Sequence, residues 1–134
     1  MASLGLVVAA YHGPITEEMT EQARAAAADR DATVVDTVEV PGVYDTPLAA
    51  DRLVRRDEID AVAVLGAIVT GDTDHDQVIG RAAAEGLTRV SLERDAPVTF
   101  GVSGPGQTPE EAADRVHKGA EAVESAVDMV EALP

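Results

Sequence analysis

The chain has 134 residues, contains no cysteine and carries a formal net charge of −15, with Lys118 as its only lysine. The length fits one domain with a substantial core, the lack of cysteine excludes disulfides and thiolate chemistry, and the acidic balance argues against nucleic-acid binding. No apolar run reaches membrane length and no basic signal-peptide start is present, so we expect a cytoplasmic protein.

The amino-terminal third of the chain alternates strand-like and helix-like segments. An apolar run predicts a strand over residues 4–10, and an Ala-rich helix follows over 16–30, with Thr16 as its N-cap. Residues 33–40 are rich in β-branched side chains and predict a second strand. A Pro-Gly pair directly after this segment ends the strand.

The middle of the chain continues this alternation. Thr46 precedes a proline, which is the pattern of an N-cap with proline at the first helical position, and it opens a helix over 46–56. A third strand is predicted over 60–69, because its apolar run is too short for a helix and rich in β-branched residues. The next helix starts near Asp74, and we expect a break or kink near Gly86.

The carboxyl-terminal third supplies a fourth strand and a last helix. The strand is predicted over 97–102 and leads into a Ser-Gly-Pro-Gly loop. Thr108, with Glu111 three residues later, has the pattern of a capping box that opens one amphipathic helix. The apolar stripe of this helix consists of Ala112, Val116, Ala120, Val123, Val127 and Val130.

Four strand–helix units without a long linker predict a single α/β domain over 1–134. Apolar strands between amphipathic helices predict a three-layer αβα arrangement around a four-stranded parallel, flavodoxin-like sheet with right-handed crossovers. Ligands of such folds bind at the carboxyl ends of the strands. A sheet this small has open edges that need cover, so we expect a homo-oligomer.

The segment 66–78 joins the third strand to the following helix and is the most informative part of the chain. Gly71 allows a tight turn or a close backbone approach, and residues 72–74 are all helix-capping types. Asp76 lies three residues after the threonine of that group, as in a capping box. The unpaired N–H groups of such a helix start can hold an anion, and His75 lies beside them.

The rare aromatic and imidazole side chains fall near predicted strand ends. Tyr11 and His12 follow the first strand, Tyr44 follows the second, His75 follows the third, and Phe100 lies in the fourth. Aromatic rings at a ligand rim are suited to stacking on a planar ring. Each also has a structural interpretation. Tyr11 and Tyr44 fit edge positions with solvated hydroxyls, Phe100 fits a core position, and the two histidines fit exposed loop positions.

Two further groups have competing interpretations. Residues 72–76 contain three aspartates and a histidine, but their spacing matches no strong metal-ligand motif and suits caps and solvated surface, so no metal is predicted. Arg115 lies four residues after Glu111, which is the spacing of an ion pair on one helix face.

Four motifs in order resemble the 6,7-dimethyl-8-ribityllumazine synthase family, particularly its archaeal forms. Residues 40–49 resemble its V-P-G-[aromatic]-[acid]-x-P segment, and residues 66–78 resemble its segment ending in G-x-T-x-H. Residues 97–102 resemble its P-V-x-F-G-V strand, and residues 112–115 resemble the A-x-x-R of its last helix. Each motif alone is weak, but together they cover nearly the whole chain.

The resemblance implies a transferase of riboflavin biosynthesis that needs no cofactor and no metal. Such enzymes condense 5-amino-6-(D-ribitylamino)uracil with 3,4-dihydroxy-2-butanone 4-phosphate, through an imine, loss of phosphate and ring closure with loss of water. Much of this catalysis consists of holding two substrates in register, and the rest is proton transfer.

The resemblance also implies roles for individual residues. His75 matches the general acid/base, and His12 replaces an asparagine that is usual in the family. The residues that match the pyrimidine- and ribityl-binding positions are Tyr11, His12, Gly42, Val43, Tyr44, Asp45, Ala67, Ile68, Val69 and Phe100. Those that match the phosphate-binding positions are Gly71, Asp72, Thr73 and Arg115. In the family Phe100 and Arg115 reach the site from a neighbouring subunit, and the assemblies are pentamers, decamers or 60-subunit capsids.

Two other functions fit the same fold. An archaeal-type riboflavin synthase shares the Pro-Gly segment but lacks the G-x-T-x-H pattern. A non-catalytic flavin-binding module would need a hydroxyl-rich phosphate loop after the first strand, where this chain has Tyr11, His12, Gly13 and Pro14. A receiver-like signalling domain would need a phosphoacceptor aspartate after the third strand, and residues 66–68 contain none.

The acidic, Lys-poor composition is typical of proteins from a high-salt cytoplasm, where added ions screen the repulsion between surface carboxylates. We therefore expect the melting temperature to rise when KCl is raised from low to molar concentration. A melting curve that stays in place over this range would contradict the interpretation.

Overall fold

The computed structural model of the chain describes residues 1–71 and 73–134. It contains four strands and five α-helices in these ranges, and short 3₁₀ turns follow the first two strands. In chain order the elements are β1 (Ser3–Ala9), α1 (Gly13–Asp29), β2 (Thr33–Val40), α2 (Thr46–Val54), β3 (Ala61–Ala67), α3 (His75–Arg94), β4 (Val98–Ser103), α4 (Pro109–Ala113) and α5 (Lys118–Ala132).

The strands form one parallel sheet in the order β2-β1-β3-β4, as the sequence predicts. Alternate side chains of β1 enter different cores, because successive residues of a strand point to opposite faces. Leu4 and Leu6 pack with α1 and α5, whereas Val7 and Ala9 pack with α2 and α3. The result is the predicted single αβα domain, with the carboxyl ends of all four strands at one edge.

The start of α1 differs from the prediction. The helix begins at Gly13, directly after the 3₁₀ turn Ala10–His12, and Pro14 occupies its first turn. Thr16 is therefore inside the helix and is not its N-cap. Its Oγ1 donates instead to the carbonyl oxygen of Gly13 at 3.2 Å, which is the back-bonding that a buried threonine uses within a helix.

The second helix differs from the prediction at both ends. Thr46, predicted as the N-cap, is its first helical residue, and Asp45 takes the N-cap position. The helix ends at Val54, two residues before the predicted end. Oγ1 of Thr46 donates to the carbonyl oxygen of Val43 at 2.7 Å, so this buried hydroxyl ties the helix to the preceding 3₁₀ turn.

Two predictions about helix continuity were wrong. α3 passes through Gly86 without a break, because the missing side chain there makes room for Pro47 of α2; a Cβ would lie 3.0 Å from Pro47 Cγ. The predicted last helix is two helices, α4 and α5, separated by a turn over 114–117. The capping box of α4 is present as predicted, with the amide of Glu111 donating to Oγ1 of Thr108 at 3.1 Å.

In the described ranges, no helix combines the length and the apolar character that a bilayer crossing would require.

Candidate functional site

A cleft of about 430 Å³ opens at the carboxyl-terminal edge of the sheet. This is where ligands bind in parallel α/β folds. Three segments that are distant in the sequence meet there: the turn after β1, the turn after β2, and the chain from the end of β3 into α3. Its lining consists of Tyr11, His12, Gly42, Val43, Tyr44, Ala67, Ile68, Val69, Gly71, Thr73, His75, Asp76 and Ile79.

Exposed aromatic rings form the rim of the cleft. Tyr11 is 81% exposed and Tyr44 is 65% exposed, although both line the cleft. Neither ring belongs to a core, so both are free to contact a ligand in the cleft. The ring of Tyr11 lies edge-on to that of His12, with centroids 5.0 Å apart and an interplanar angle of 76°.

His12 supplies a polar group beside the aromatic rim. Partial burial lowers the pKa of His12 below its usual value, because desolvation penalises the charged ring. The neutral ring offers one N–H donor and one acceptor nitrogen, the same pair of capabilities that a side-chain amide has. His12 therefore presents a donor and an acceptor beside the cleft.

His75 is the first residue of α3 and lines the cleft. Its backbone N–H donates to Oγ1 of Thr73 at 3.2 Å, which fixes the start of the helix. Gly71 and Thr73 also line the cleft, so the predicted anion-binding positions and the predicted acid/base face the same space. Asp72, the remaining predicted phosphate-binding position, lies outside the described residues.

Asp76 does not complete the predicted capping box with Thr73. Its carboxylate is buried at 7% exposure and Oδ2 accepts a hydrogen bond from the backbone N–H of Gly106 at 3.1 Å. The residue therefore ties the start of α3 to the loop after β4. In the described part of the chain, no three histidine, aspartate or glutamate side chains converge as metal ligands would.

Comparison with known proteins decides the family. A sequence profile described as 6,7-dimethyl-8-ribityllumazine synthase matches residues 1–134. The chain belongs to this family. A 6,7-dimethyl-8-ribityllumazine synthase of Halorubrum lacusprofundi is 65% identical over 133 residues, which cover 99% of each chain. One of Halobacterium salinarum is 67% identical over 99% of this chain and 100% of the relative, and one of Methanopyrus kandleri is 49% identical over 97% and 92%.

The lumazine synthase family predicted from the motifs is thus confirmed, and the chain is an enzyme of riboflavin biosynthesis. The relatives from halophiles agree with the acidic composition. The comparisons favour this family over the riboflavin synthase and the flavin-binding module that fitted the fold.

Three residues that the lumazine synthase motifs assign to the site do not line this chain's cleft. Asp45 lies in the turn after β2, where Oδ2 accepts a hydrogen bond from the backbone N–H of Gly42 at 3.0 Å. Phe100 lies on the edge strand β4 and is 41% exposed, so it is not a core residue. Arg115 lies on the turn after α4 and bonds to Gln107 and Glu111.

The ion pair that the sequence offered as the structural role of Arg115 is present. Nη2 of Arg115 lies 3.3 Å from Oε2 of Glu111. Both side chains are nearly half exposed, so solvent screens this pair and it contributes little to stability. The ion pair is compatible with a second role, because a guanidinium has five N–H donors.

Sequence reasoning missed three residues of this region. Ile79 lines the cleft one turn into α3, and its spacing from His75 is the only signal that could have indicated it. Asp76 was interpreted as a cap, and Gln107 was not singled out. Asp76 acts through a partner 30 residues away, and Gln107 acts through Arg115 on the far side of α4, which no local pattern reveals.

Proposed function

We propose that this cleft binds 5-amino-6-(D-ribitylamino)uracil and 3,4-dihydroxy-2-butanone 4-phosphate and joins them to 6,7-dimethyl-8-ribityllumazine. The amino group of the pyrimidine attacks the ketone and loses water to give an imine. Phosphate then leaves, and the ribitylamino nitrogen closes the ring with loss of a second water. The observation that carries the proposal is the convergence of the aromatic rim, Gly71, Thr73 and His75 on one cleft.

The chemistry of the lining supports a division of the cleft into two halves. Tyr11 is placed to stack on the pyrimidine, while the backbone of residues 67–69 offers hydrogen-bonding groups to its edge. The turn over 42–45 faces the ribityl chain. Gly42, Val43 and Tyr44 of this turn line the cleft, and Asp45 fixes the turn from outside the lining by accepting the hydrogen bond from Gly42 N–H.

The other half of the cleft holds the phosphate and moves protons. Gly71 and Thr73 line the cleft just before α3, where backbone N–H groups can hold a phosphate. His75 lies next to these residues and acts as the general acid/base for imine formation and phosphate loss. Since no residue needs to form a covalent intermediate, orientation of the two substrates supplies much of the rate.

We propose further that the working enzyme is a homo-oligomer, a pentamer or a larger assembly of pentamers. Phe100 and Arg115 then complete the cleft of a neighbouring subunit. The exposure of Phe100 on an edge strand and the position of Arg115 outside its own cleft support this arrangement. Large apolar side chains on elements beside the cleft are also exposed, namely Leu48 on α2 and Val78 on α3.

The test of the activity is lumazine absorbance and phosphate release after mixing the protein with both substrates in high salt. Growth of both signals would support the synthase. Conversion of lumazine itself to riboflavin would indicate the riboflavin synthase, and ligand binding without turnover would indicate a binding module.

Replacing His75 by alanine should lower the turnover number by about 10²-fold, because one general acid/base is lost while substrate positioning remains. The measurement is the initial rate with both substrates saturating. His117→Ala is the matched control, since His117 is exposed on the turn before α5 and lies 3.7 Å from Glu121. An unchanged rate in His75→Ala would remove His75 from the mechanism.

A further inference from the structure

Gln107 is a buried amide with a fixed orientation. It lies between β4 and α4 and is 1% exposed. Its Nε2 donates to Oγ of the equally buried Ser103 at 2.9 Å, and its Oε1 accepts from Nη1 of Arg115 at 2.8 Å. Turning the amide over would place a donor against the guanidinium, so these partners permit only one orientation.

The loop that carries Gln107 is anchored to the cleft wall. The backbone N–H of Thr70 donates to the carbonyl oxygen of Gln107 at 2.8 Å, and that of Ile68 donates to the carbonyl oxygen of Ser103 at 2.9 Å. Gly104 adopts a φ of +86°, and a Cβ there would lie 2.1 Å from the carbonyl oxygen of Ile68. Only glycine permits this approach, so the loop is held closely against the end of β3.

Arg115 has a hydrogen-bonded backbone, but its side chain is oriented by contacts with other side chains. It lies on the turn over 114–117, between α4 and α5, where no continuous helix fixes the direction of its side chain. Two acceptors on its own chain orient the guanidinium: Oε1 of Gln107 at 2.8 Å and Oε2 of Glu111 at 3.3 Å. The shorter bond is to the buried Gln107, whose other end is held by Ser103.

We infer that Gln107 is a positioning residue for Arg115, and that it sets the affinity of the enzyme for the phosphate group of its substrate. This inference rests on the phosphate-binding role of Arg115 proposed above. A neutral amide orients the guanidinium without cancelling its charge, whereas a carboxylate in the same place would pair with it. The remaining N–H groups of Arg115 keep both their direction and their charge for an anion.

The inference predicts opposite effects for changes of charge at the two acceptors. Gln107→Glu keeps an acceptor for Arg115 but adds a buried negative charge beside it, so phosphate should bind more weakly. Glu111→Gln keeps an acceptor and removes a negative charge, so phosphate should bind more tightly. A residue that only fills space in the loop would not produce this pair of opposite shifts.

The experiment measures kcat and both Michaelis constants of the assembled enzyme. Gln107→Met keeps the volume but removes the acceptor, and it should raise the KM for the phosphorylated substrate by about ten-fold. Gln107→Glu should raise the same KM by at least about three-fold, and Glu111→Gln should lower it by about two-fold. The KM for the pyrimidine and kcat should stay within about two-fold throughout. Inorganic phosphate as a competitive inhibitor should show the same shifts in Ki.

Ser91→Ala is the matched control, because it also removes one side-chain hydrogen bond, from Oγ of Ser91 to the carbonyl oxygen of Ala96 at 2.7 Å. That bond lies at the end of α3 opposite to His75, so all constants should remain at their original values. If Gln107→Met fails to fold, Gln107→Glu carries the test, since it keeps the size and an acceptor for Arg115.

The outcomes separate the inference from the function on which it rests. No lumazine formation by the unchanged protein would refute the proposed activity. Lumazine formation with an unaltered KM in Arg115→Ala would refute the phosphate role of Arg115, and the inference with it. The inference alone would be overturned if Arg115→Ala raises the KM for the phosphorylated substrate while Gln107→Met shifts both Michaelis constants equally. A lower KM for that substrate in Gln107→Glu would overturn it as well.

Discussion

Replacing Arg115 by alanine should raise the KM for the phosphorylated substrate by about 10²- to 10³-fold, as expected for the loss of about two charge-assisted hydrogen bonds. The KM for the pyrimidine should change little, because Arg115 lies outside the part of the cleft that holds the ring. The measurement is a steady-state titration of each substrate at saturation of the other. Equal losses for both substrates would contradict the phosphate role.

Mixed assemblies test whether Arg115 serves its own cleft or that of a neighbour. Subunits with His75→Ala keep Arg115, and subunits with Arg115→Ala keep His75. A site shared by two subunits therefore has both side chains where the cleft belongs to an Arg115→Ala subunit and the neighbouring subunit carries His75→Ala. In a random equal mixture of a closed ring this occurs at about one quarter of the interfaces. Co-expression of the two variants should therefore restore about one quarter of the original activity.

The two separately purified variants, mixed without co-assembly, are the control for this complementation and should keep only their own residual activity when the phosphorylated substrate is kept near the KM of the unchanged enzyme. A co-expressed mixture that is no more active than this control would place Arg115 and His75 in the same subunit's site. A protein that sedimentation shows to be monomeric would contradict the shared site altogether.

The sheet was predictable from the sequence because its strands have a local signature. β3 lies at the centre of the sheet and every one of its residues is buried, so it appears as a continuous apolar run. β2 lies at an edge and is only partly buried, yet its β-branched residues still indicate a strand. The predicted strand bounds differ from those observed by at most two residues at each end.

Helix continuity was less predictable because it depends on tertiary contacts. Gly86 has a low helix propensity, but its contact with Pro47 favours the absence of a side chain, and α3 continues through it. The apolar stripe across 112–130 keeps the helical period, although the chain makes a turn over 114–117. Periodicity reports which residues face the core, and it does not report every interruption of the backbone.

The same distinction applies to the candidate site. Tyr11, Tyr44 and His75 could be found because they follow strands directly, and the carboxyl ends of parallel strands meet at one edge. Asp76 and Gln107 could not be found in this way. Asp76 bonds to a residue 30 positions away, and Gln107 bonds to Arg115 on the far side of α4. Both side chains are buried, although residues of these polar types are usually solvated.

Replacing Gly119 by alanine should destabilise the fold by about 3 kcal/mol, the range expected when a well-packed contact is overfilled. Gly119 lies near the start of α5, where this helix crosses α1. A Cβ there would lie 2.2 Å from the carbonyl oxygen of Met19 and 2.9 Å from its carbonyl carbon. These are backbone atoms, so no side chain can rotate away and the two helices must separate.

Separation of α1 and α5 would loosen the core that both helices form on one face of the sheet, including the buried Ala23, Ala122 and Val123. Alanine has the better helix propensity by about 1 kcal/mol, so the clash must exceed this gain for the prediction to hold.

Gly13→Ala is the matched control, since a Cβ at Gly13 meets no atom within 4 Å. Denaturant unfolding of both variants at one protein concentration and one KCl concentration measures the difference. A loss in Gly119→Ala no larger than that in Gly13→Ala would mean that α1 and α5 do not cross as closely as described.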